Sequence, residues 1–159
     1  MTVEDITKYQ GPDVIRRTLA MKRVAIVGLS DNELRASNFV GRYLLRNGYE
    51  VIPVNPMAET ILGLTSYASL LDIPGPVDTV DVFRKPDAVP DIAKDAVAIG
   101  AKCLWLQYNV ISEEGAGIAT AGGLDVVMDR CMKVEHARYL GRMHWLGFNT
   151  GRVSATRGD

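Results

Sequence analysis

The chain alternates short, almost wholly apolar runs with longer segments whose apolar residues recur at helical spacing. Apolar runs bounded by glycine and proline are typical of buried parallel strands, whereas a period of 3.6 indicates amphipathic helices. Strand-like runs occur at 23–30, 49–56, 77–84, 103–107 and 124–129, and helical segments at 11–22, 39–48, 87–100, from 112 onward and 132–141. The alternation predicts a single-domain α/β fold: a doubly wound, mainly parallel sheet with helices on both faces.

Local signals place the ends of several elements. Gly48 is the expected left-handed cap at the end of one helix, and Ser112 is the expected N-cap of another. Asp87 is the expected N-cap of the helix that follows the run at 77–84. Between the second and third long runs, residues 61–64 predict a brief strand and residues 66–71 a helical turn.

Length, composition and charge are those of an ordinary globular domain. The 159 residues are 47% hydrophobic and carry a formal net charge of −1, so no general affinity for nucleic acid or an acidic membrane is expected. No apolar run approaches about 20 residues, and the N-terminus lacks the pattern of a signal peptide. Cys103 and Cys131 lack metal-ligand spacing, and we expect reduced thiols in the cytoplasm. We expect one domain over 1–159, with its core at 12–141 and a tail at 142–159.

The carboxyl ends of the predicted strands are the expected ligand site, because doubly wound sheets bind ligands at that edge. These ends lie at 28–30, 53–55, 83–85, 107–108 and 129–131. Gly28 allows close backbone approach, and the N-terminus of the helix that follows offers free N–H groups and a positive dipole end. We therefore expect a phosphate-bearing ligand at the first strand-to-helix turn.

The turn after the first run departs from the dinucleotide fingerprint. That fingerprint requires Gly-x-Gly-x-x-Gly, and here Gly28 is followed by Leu-Ser-Asp-Asn-Glu. The second run ends Pro-Val-Asn-Pro, without the acidic residue that binds ribose hydroxyls. Both departures disfavour a nicotinamide dinucleotide, and an oxidoreductase that uses one is kept as an alternative.

Several separated motifs resemble those of one protein family. They are Val-Gly-Leu-Ser with Arg-x-Ser after it, Gly-Tyr-Glu-Val-Ile-Pro-Val-Asn-Pro, Asp-Val-Phe-Arg-Lys-Pro, Trp-Leu-Gln and Val-Met-Asp-Arg-Cys-Met-Lys-Val-Glu. Over 12–141 the chain resembles the small stand-alone CoA-binding proteins, which are similar to the N-terminal CoA-binding domain of the succinyl-CoA synthetase α subunit. The resemblance implies a Rossmann-like domain that binds coenzyme A and has no established reaction of its own.

Two features set the chain apart within this resemblance. The synthetase's second domain, which holds its phosphorylated histidine, has no counterpart in these 159 residues. Family members often have lysine directly after Asn-Pro, where it can meet a phosphate, and this chain has Met57 there. Some phosphate affinity would then be lost, or would be carried by Arg35, Arg84 or Lys85.

The strand ends and the resemblance together define the candidate ligand residues. Ser30 would bind the pyrophosphate through its hydroxyl and its N–H, or else form the turn or a local cap. Arg35 would pair with a phosphate, or else be a solvated charge in a loop. Ser37 and Asn38 would contact the ligand or cap the helix. The full set is Gly28, Ser30, Arg35, Ser37, Asn38, Pro53, Val54, Asn55, Phe83, Arg84, Lys85, Gln107 and Arg130.

The apolar and amide members of this set have structural alternatives. Residues 53–55 would form a wall against adenine or ribose, with Asn55 as its hydrogen-bonding group, or would simply end a strand. Phe83 is either a platform for the ligand or a core residue. Trp105 is expected in the core, and Gln107, at a strand's carboxyl end, is the better contact.

Cys131 is a candidate redox residue. It begins the final helix directly after a strand end, so we expect it at the ligand edge, where the helix dipole favours the thiolate. Coenzyme A itself ends in a thiol, and oxidation would then yield a protein–CoA mixed disulfide. The alternative is a small buried side chain. Cys103, inside a strand, is the expected inert thiol.

No catalytic residue is assigned. His136 beside Glu135 is typical of a surface ion pair, and no nucleophile stands at triad spacing from it. The leading function is therefore binding of CoA or an acyl-CoA, as a carrier, sensor or accessory module without complete catalytic machinery. An accessory subunit of an acyl-CoA ligase is a further alternative. The partner is then a small molecule, with a homo-oligomer or an acyl-CoA enzyme partner left open.

Overall fold

The computed structural model describes residues 1–141 as a parallel sheet covered by helices on both faces. The strands are β1 (Arg23–Val27), β2 (Glu50–Val54), β3 (Thr60–Ile61), β4 (Leu64–Thr65), β5 (Thr79–Val82), β6 (Cys103–Leu106) and β7 (Asp125–Met128). The helices are α1 (Val3–Thr7), α2 (Pro12–Leu19), α3 (Ala36–Arg46), α4 (Val89–Ala98), α5 (Glu113–Ala121) and α6 (Met132–Tyr139), with short 3₁₀ turns at Leu70–Asp72 and Pro86–Ala88. The predicted α/β fold is confirmed.

Five strands form the main sheet in the order β2-β1-β5-β6-β7, and every neighbouring pair is parallel. Asp81 in the central strand β5 lies opposite Ile26 of β1 on one side and Trp105 of β6 on the other. The chain passes outward from β1 to β2 and then returns to β5 on the other side of β1. The winding direction therefore changes between β1 and β5.

Side chains alternate between two apolar layers because successive strand residues point to opposite faces. Ala25 and Val27 of β1 belong to the layer that packs against α4 and α5. Val24 and Ile26 belong to the layer that packs against α2, α3 and α6. Burial on both faces explains why these strands are nearly continuous apolar runs in the sequence.

Two of the three predicted helix ends are confirmed. Gly48 follows α3 with a φ of 84°, and the Ser112 hydroxyl accepts a hydrogen bond from the Gly115 N–H at 3.0 Å. The prediction for Asp87 is wrong, because the N-cap position of α4 is Ala88. Pro86 starts a 3₁₀ turn that runs directly into α4, so no extended residue with a capping side chain precedes the helix.

The segment between β2 and β5 differs from the prediction. Residues 61–64 do not form one strand, because Leu62 and Gly63 have positive φ and make a turn between the antiparallel pair β3 and β4. The helical turn predicted at 66–71 is the 3₁₀ turn at Leu70–Asp72. The short helix α1 was not predicted at all.

The predicted surface ion pair on α6 is also wrong. His136 and Glu135 are both buried, because α6 packs against α2 and α3. The His136 Nδ1 atom lies 2.8 Å from the Tyr43 hydroxyl, and the Glu135 carboxylate lies 3.2 Å from the Arg138 guanidinium. Burial, with a smaller contribution from Lys22, lowers the pKa of His136.

Candidate functional site

The connections that leave the carboxyl ends of β1 and β5 run in opposite directions, because the winding direction changes between these two strands. In open α/β sheets a ligand crevice forms at this position. Gly28 directly follows β1 and Phe83 directly follows β5, so both residues lie at this opening. The Phe83 N–H donates to the Val27 carbonyl at 2.8 Å, which keeps the two strand ends paired up to the edge.

Three adjoining hollows follow this edge from β2 to β6, and we call them together the edge cleft. The first has a volume of about 410 Å³ and is lined by Gly28, Ser30, Arg35, Ala36, Ser37 and Phe83. The second, of about 510 Å³, is lined by Ala36, Phe83, Arg84, Lys85, Pro86, Gln107, Tyr108, Asn109 and Val110. The third, of about 140 Å³, is lined by Val27, Val54, Pro56, Ala68, Ser69, Leu70, Arg84, Ile92 and Asp95. Shared residues join neighbouring hollows into one elongated surface.

Gly28 is needed for the close approach of two strand ends. Its φ is 88°, and a Cβ atom there would lie 2.6 Å from the Phe83 carbonyl oxygen. The Gly28 N–H donates to the Val54 carbonyl at 2.9 Å. The predicted close approach therefore exists, but the nearest group is the chain's own backbone.

Ser37 and Asn38 hold the loop after β1 from the first turn of α3. The Ser30 N–H donates to the Ser37 hydroxyl at 2.9 Å, and the Asn38 amide donates to the Ser30 carbonyl at 2.8 Å. The Ser30 hydroxyl accepts from the Asn32 N–H at 3.0 Å. The Ser30 N–H is thus bonded within the chain, contrary to its predicted phosphate contact. Neither Ser37 nor Asn38 is the helix cap, because Arg35 occupies the N-cap position.

The N-terminus of α3 lies at the first hollow. The Arg35 carbonyl accepts from the N–H groups of Asn38 and Phe39. Within residues 1–141, the N–H groups of Ala36 and Ser37 have no acceptor, and both residues line the hollow. Free amides and the positive end of a helix dipole favour an anion at this position.

Three cations surround the first two hollows. Arg35, Arg84 and Lys85 are exposed, and in the described part of the chain their side chains form no ion pair. Arg130 differs, because its guanidinium donates to the Asp129 carbonyl and, at 2.9 Å, to Gln10 Oε1. Arg130 therefore supports the segment before α2 and does not line the edge cleft.

The predicted wall at the end of β2 is only partly present. Val54 lines the third hollow, whereas Pro53 is buried within β2. The Asn55 amide donates to the Leu29 carbonyl at 3.0 Å, and its Oδ1 accepts from the Met57 N–H at 2.9 Å. The Asn55 amide thus connects the ends of β1 and β2, while its Oδ1 closes a local turn after β2.

The end of β6 supplies the far side of the cleft. Trp105 is fully buried, as predicted, and its Nε1 donates to the Arg130 carbonyl at 2.8 Å. Gln107 lines the second hollow although only 7% of it is exposed, and its Oε1 has no hydrogen-bond partner within residues 1–141. Sequence reasoning missed Ala36, Pro86, Asn109 and Val110, whose only signal is their position beside predicted strand ends.

Cys131 occupies the predicted place but not the predicted electrostatic state. It is the N-cap residue of α6 and is 6% exposed. Burial raises the pKa of the Cys131 thiol, although the Gln107 side chain and the N–H groups of Val134 and Lys133 act in the opposite direction. The expected shift toward thiolate in the free protein is therefore wrong, because loss of water outweighs the helix terminus.

Asp81 is a buried acid that the sequence reasoning did not single out. It is wholly buried in β5, and neither carboxylate oxygen has a partner in the described chain. Burial raises the pKa of Asp81 well above its usual value. An acid between Val80 and Val82 within an apolar run was the available signal.

We expect Asp81→Asn to stabilise the protein increasingly as the pH rises. The folded-state pKa of Asp81 lies above its unfolded value of about 3.9, so the stability due to proton binding is complete below that value. This stability is lost as the pH rises through the folded pKa. Asparagine does not ionise, so the variant keeps its stability over the same pH range. Thermal unfolding at pH 5 and pH 8 should show a larger gain at pH 8, because the gain grows by up to about 1.4 kcal/mol for each pH unit between the unfolded and the folded pKa. An equal gain at both pH values would contradict ionisation as the cause.

The fold and the edge cleft define the class of protein: a doubly wound, Rossmann-like α/β domain with a ligand crevice at its carboxyl edge. A family model described as a CoA binding domain matches residues 22–137, and the chain belongs to this CoA-binding domain family. Within residues 1–141, no helix is both long and apolar enough to cross a membrane, and no metal-binding group of His, Cys, Asp and Glu is present.

Relatives include a small protein, part of a large enzyme and a solved structure. Protein YneT of Bacillus subtilis is 36% identical over 135 residues, covering 85% of this chain and 98% of YneT. The ADP-forming acetate–CoA ligase II of Archaeoglobus fulgidus is 33% identical over 109 residues, covering 67% of this chain but only 16% of the ligase. A hypothetical protein from Pyrococcus horikoshii superposes with a TM-score of 0.80 at 42% identity, covering 82% of this chain and 93% of that one.

Proposed function

We propose that this protein binds coenzyme A, free or acylated, in the edge cleft and acts as a carrier, sensor or accessory module. The observation that carries the proposal is the position of Arg35, Arg84 and Lys85 around the first two hollows in a member of the CoA-binding domain family. These cations have no ion pair within residues 1–141, so an anionic ligand would replace water and not an internal partner.

The chemistry of the cleft fits the parts of coenzyme A. Its phosphates need cations and N–H donors, which Arg35, Arg84 and the first amides of α3 can provide. Its adenine and its pantetheine arm need partly apolar walls, and Phe83 and Tyr108 line the second hollow. An elongated surface suits a ligand with a nucleotide at one end and a long arm at the other.

A nicotinamide dinucleotide fits less well. The turn after β1 has only one glycine of the fingerprint, and Asn55 stands where an acid would bind the ribose hydroxyls. The Asn55 side chain is also bonded at both ends within the chain. Neither end of the Asn55 side chain is therefore available for the contact that defines that class.

A second candidate function is that of an accessory subunit of an acyl-CoA ligase. It is favoured by the 33% identity to one region of the Archaeoglobus acetate–CoA ligase. In this case the present domain would bind CoA, and a separate chain would supply the remaining parts of the ligase. Purification of the tagged protein from its own cells, followed by mass spectrometry, should recover a ligase component; its absence under native conditions would oppose this candidate.

We expect coenzyme A to raise the midpoint of thermal unfolding, and NAD and NADP to leave it unchanged. A ligand that binds only the native state at about 100 times its Kd stabilises by about 2.7 kcal/mol. For a domain of this size that corresponds to a shift of about 5–10 °C. Differential scanning fluorimetry with each ligand measures the effect. A shift with NAD and none with coenzyme A would overturn the proposal.

A further inference from the structure

Gln107 connects the edge cleft to a sulfur atom beneath it. The residue lines the second hollow. The Arg130 N–H donates to the Leu106 carbonyl at 3.3 Å, so the residues that follow these two, Cys131 and Gln107, lie next to each other, and the Gln107 side chain acts to lower the pKa of the Cys131 thiol. Its Oε1 is buried without a partner in the described chain. A buried amide with one unsatisfied end is costly unless something else satisfies it. Gln107 therefore offers an unsatisfied acceptor to a polar ligand group in the second hollow.

Other polar groups surround the same sulfur. Tyr108 also lines the second hollow, and the charge of Cys131 contributes to raising the pKa of Tyr108, after the larger effect of burial. The N–H groups of Lys133 and Val134, at the start of α6, act to stabilise a negative charge on Cys131. Two residues of the second hollow and two backbone N–H groups of α6 thus act electrostatically on the same thiol.

We propose that Cys131 is a site of mixed-disulfide formation with the thiol end of coenzyme A, a proposal that rests on the proposed binding of CoA in the edge cleft. Gln107 and Tyr108 line the second hollow, both influence the Cys131 thiol electrostatically, and Tyr108 packs against the apolar cluster that contains Cys131. In this proposal the two side chains move aside when the disulfide binds. The oxidant is a CoA disulfide, in which two CoA molecules are joined through their sulfurs.

The exchange conserves atoms and electrons. The Cys131 thiol loses its proton, and its sulfur attacks one sulfur of the CoA disulfide. A bond forms between Cys131 and that sulfur while the CoA–CoA bond breaks, and the released CoA thiolate takes up a proton. One disulfide replaces another, so no further oxidant or reductant takes part.

Burial makes the reaction selective for a bound disulfide. Because burial keeps the free thiol protonated, small reagents in solution should react with Cys131 slowly. A disulfide whose CoA half occupies the cleft is held beside the sulfur at a high effective concentration. The Gln107 amide and the two helix N–H groups then stabilise the thiolate at the moment of attack.

Cys103 provides a matched internal control. It is the first residue of β6, at the opposite edge of the sheet, about 10 Å from the end of this four-residue strand. It is fully buried, and burial raises the pKa of its thiol to about 12. It should stay unmodified under conditions that modify Cys131.

The test is labelling with CoA disulfide, followed by intact and peptide mass spectrometry without reduction. We expect one CoA adduct on Cys131, none on Cys103, and a rate about tenfold or more above that with glutathione disulfide at equal concentration. Adenosine 3′,5′-bisphosphate, which has the nucleotide end but no thiol, should slow the reaction. C131S should lose the adduct, and C103S should keep it.

Two outcomes would overturn the inference: no adduct on Cys131, or equal rates with the two disulfides. A thermal shift with reduced coenzyme A, measured on the same protein with a phosphine reductant present, separates this failure from that of the proposed function. A shift in the unfolding temperature without an adduct rejects the mixed disulfide but supports the binding of CoA. No shift rejects CoA binding itself.

Discussion

Replacing Gly28 with alanine is expected to lower the free energy of unfolding by about 2–4 kcal/mol. Gly28 has a φ of 88°, and the added Cβ atom would lie 2.6 Å from the Phe83 carbonyl oxygen and 3.0 Å from the Arg84 Cδ atom. The carbonyl belongs to the backbone at the end of β5, which cannot move without disturbing its pairing with β1. Urea unfolding followed by circular dichroism measures the loss.

Gly48 is the matched control for this substitution. Its φ is 84°, close to that of Gly28, but a Cβ atom there would meet nothing within 4 Å. Gly48→Ala should therefore lower the free energy of unfolding only through the strain of the positive φ, by about 1–2 kcal/mol. The difference between the two losses of unfolding free energy measures the contribution of the contact between the ends of β1 and β5. Equal losses would show that this contact contributes nothing to stability.

Arg35→Ala is expected to weaken coenzyme A binding by about 1.5–3 kcal/mol, or about 10- to 150-fold in Kd. Arg35 is the N-cap residue of α3, lines the first hollow and forms no ion pair within residues 1–141. Its guanidinium is therefore available for a charged hydrogen bond to a phosphate. Added salt should weaken wild-type binding more than that of the variant. Isothermal titration calorimetry at two salt concentrations measures both effects.

Arg46→Ala is the control for a general loss of positive charge. Arg46 lies in the last turn of the same helix, about 15 Å along the axis from Arg35. It does not line the edge cleft, so its removal should change the Kd less than about twofold. Equal affinities of the wild type and the Arg35 variant for coenzyme A would show that Arg35 is a solvated surface charge and does not contact the ligand.

The positions of the main strands along the chain could be anticipated from the sequence because burial on both faces leaves a strong signal. Each main strand falls inside a predicted apolar run, and α3, α4 and α5 fall between the runs. The turn at 61–64 could not be anticipated, since Leu62 takes a positive φ that its side chain does not favour. The Asp87 prediction failed because a proline-initiated 3₁₀ turn replaced the extended residue that a cap requires.

The predicted strand ends indicated where the candidate site lies, but they did not indicate what each of its side chains does. Ser37 and Asn38 were expected to cap a helix or contact a ligand; neither is the cap, and both bond to the Ser30 backbone. Arg130 faces Gln10, a partner that is distant in sequence and close only in the folded chain. Asp81 and His136 are buried by elements that pack over them. Such tertiary contacts leave no periodic pattern in the sequence, whereas the placement of strand ends does.

The bonds that hold Ser30 bear on the thermodynamics of ligand capture. Its N–H, carbonyl and hydroxyl are all engaged by groups of the same loop and helix. Fixing a backbone residue costs about 1–2 kcal/mol of conformational entropy, and here that cost is met when the chain folds. A ligand arriving at the start of α3 therefore meets a preorganised surface, and the entropy lost on association comes mainly from the ligand's own flexible arm.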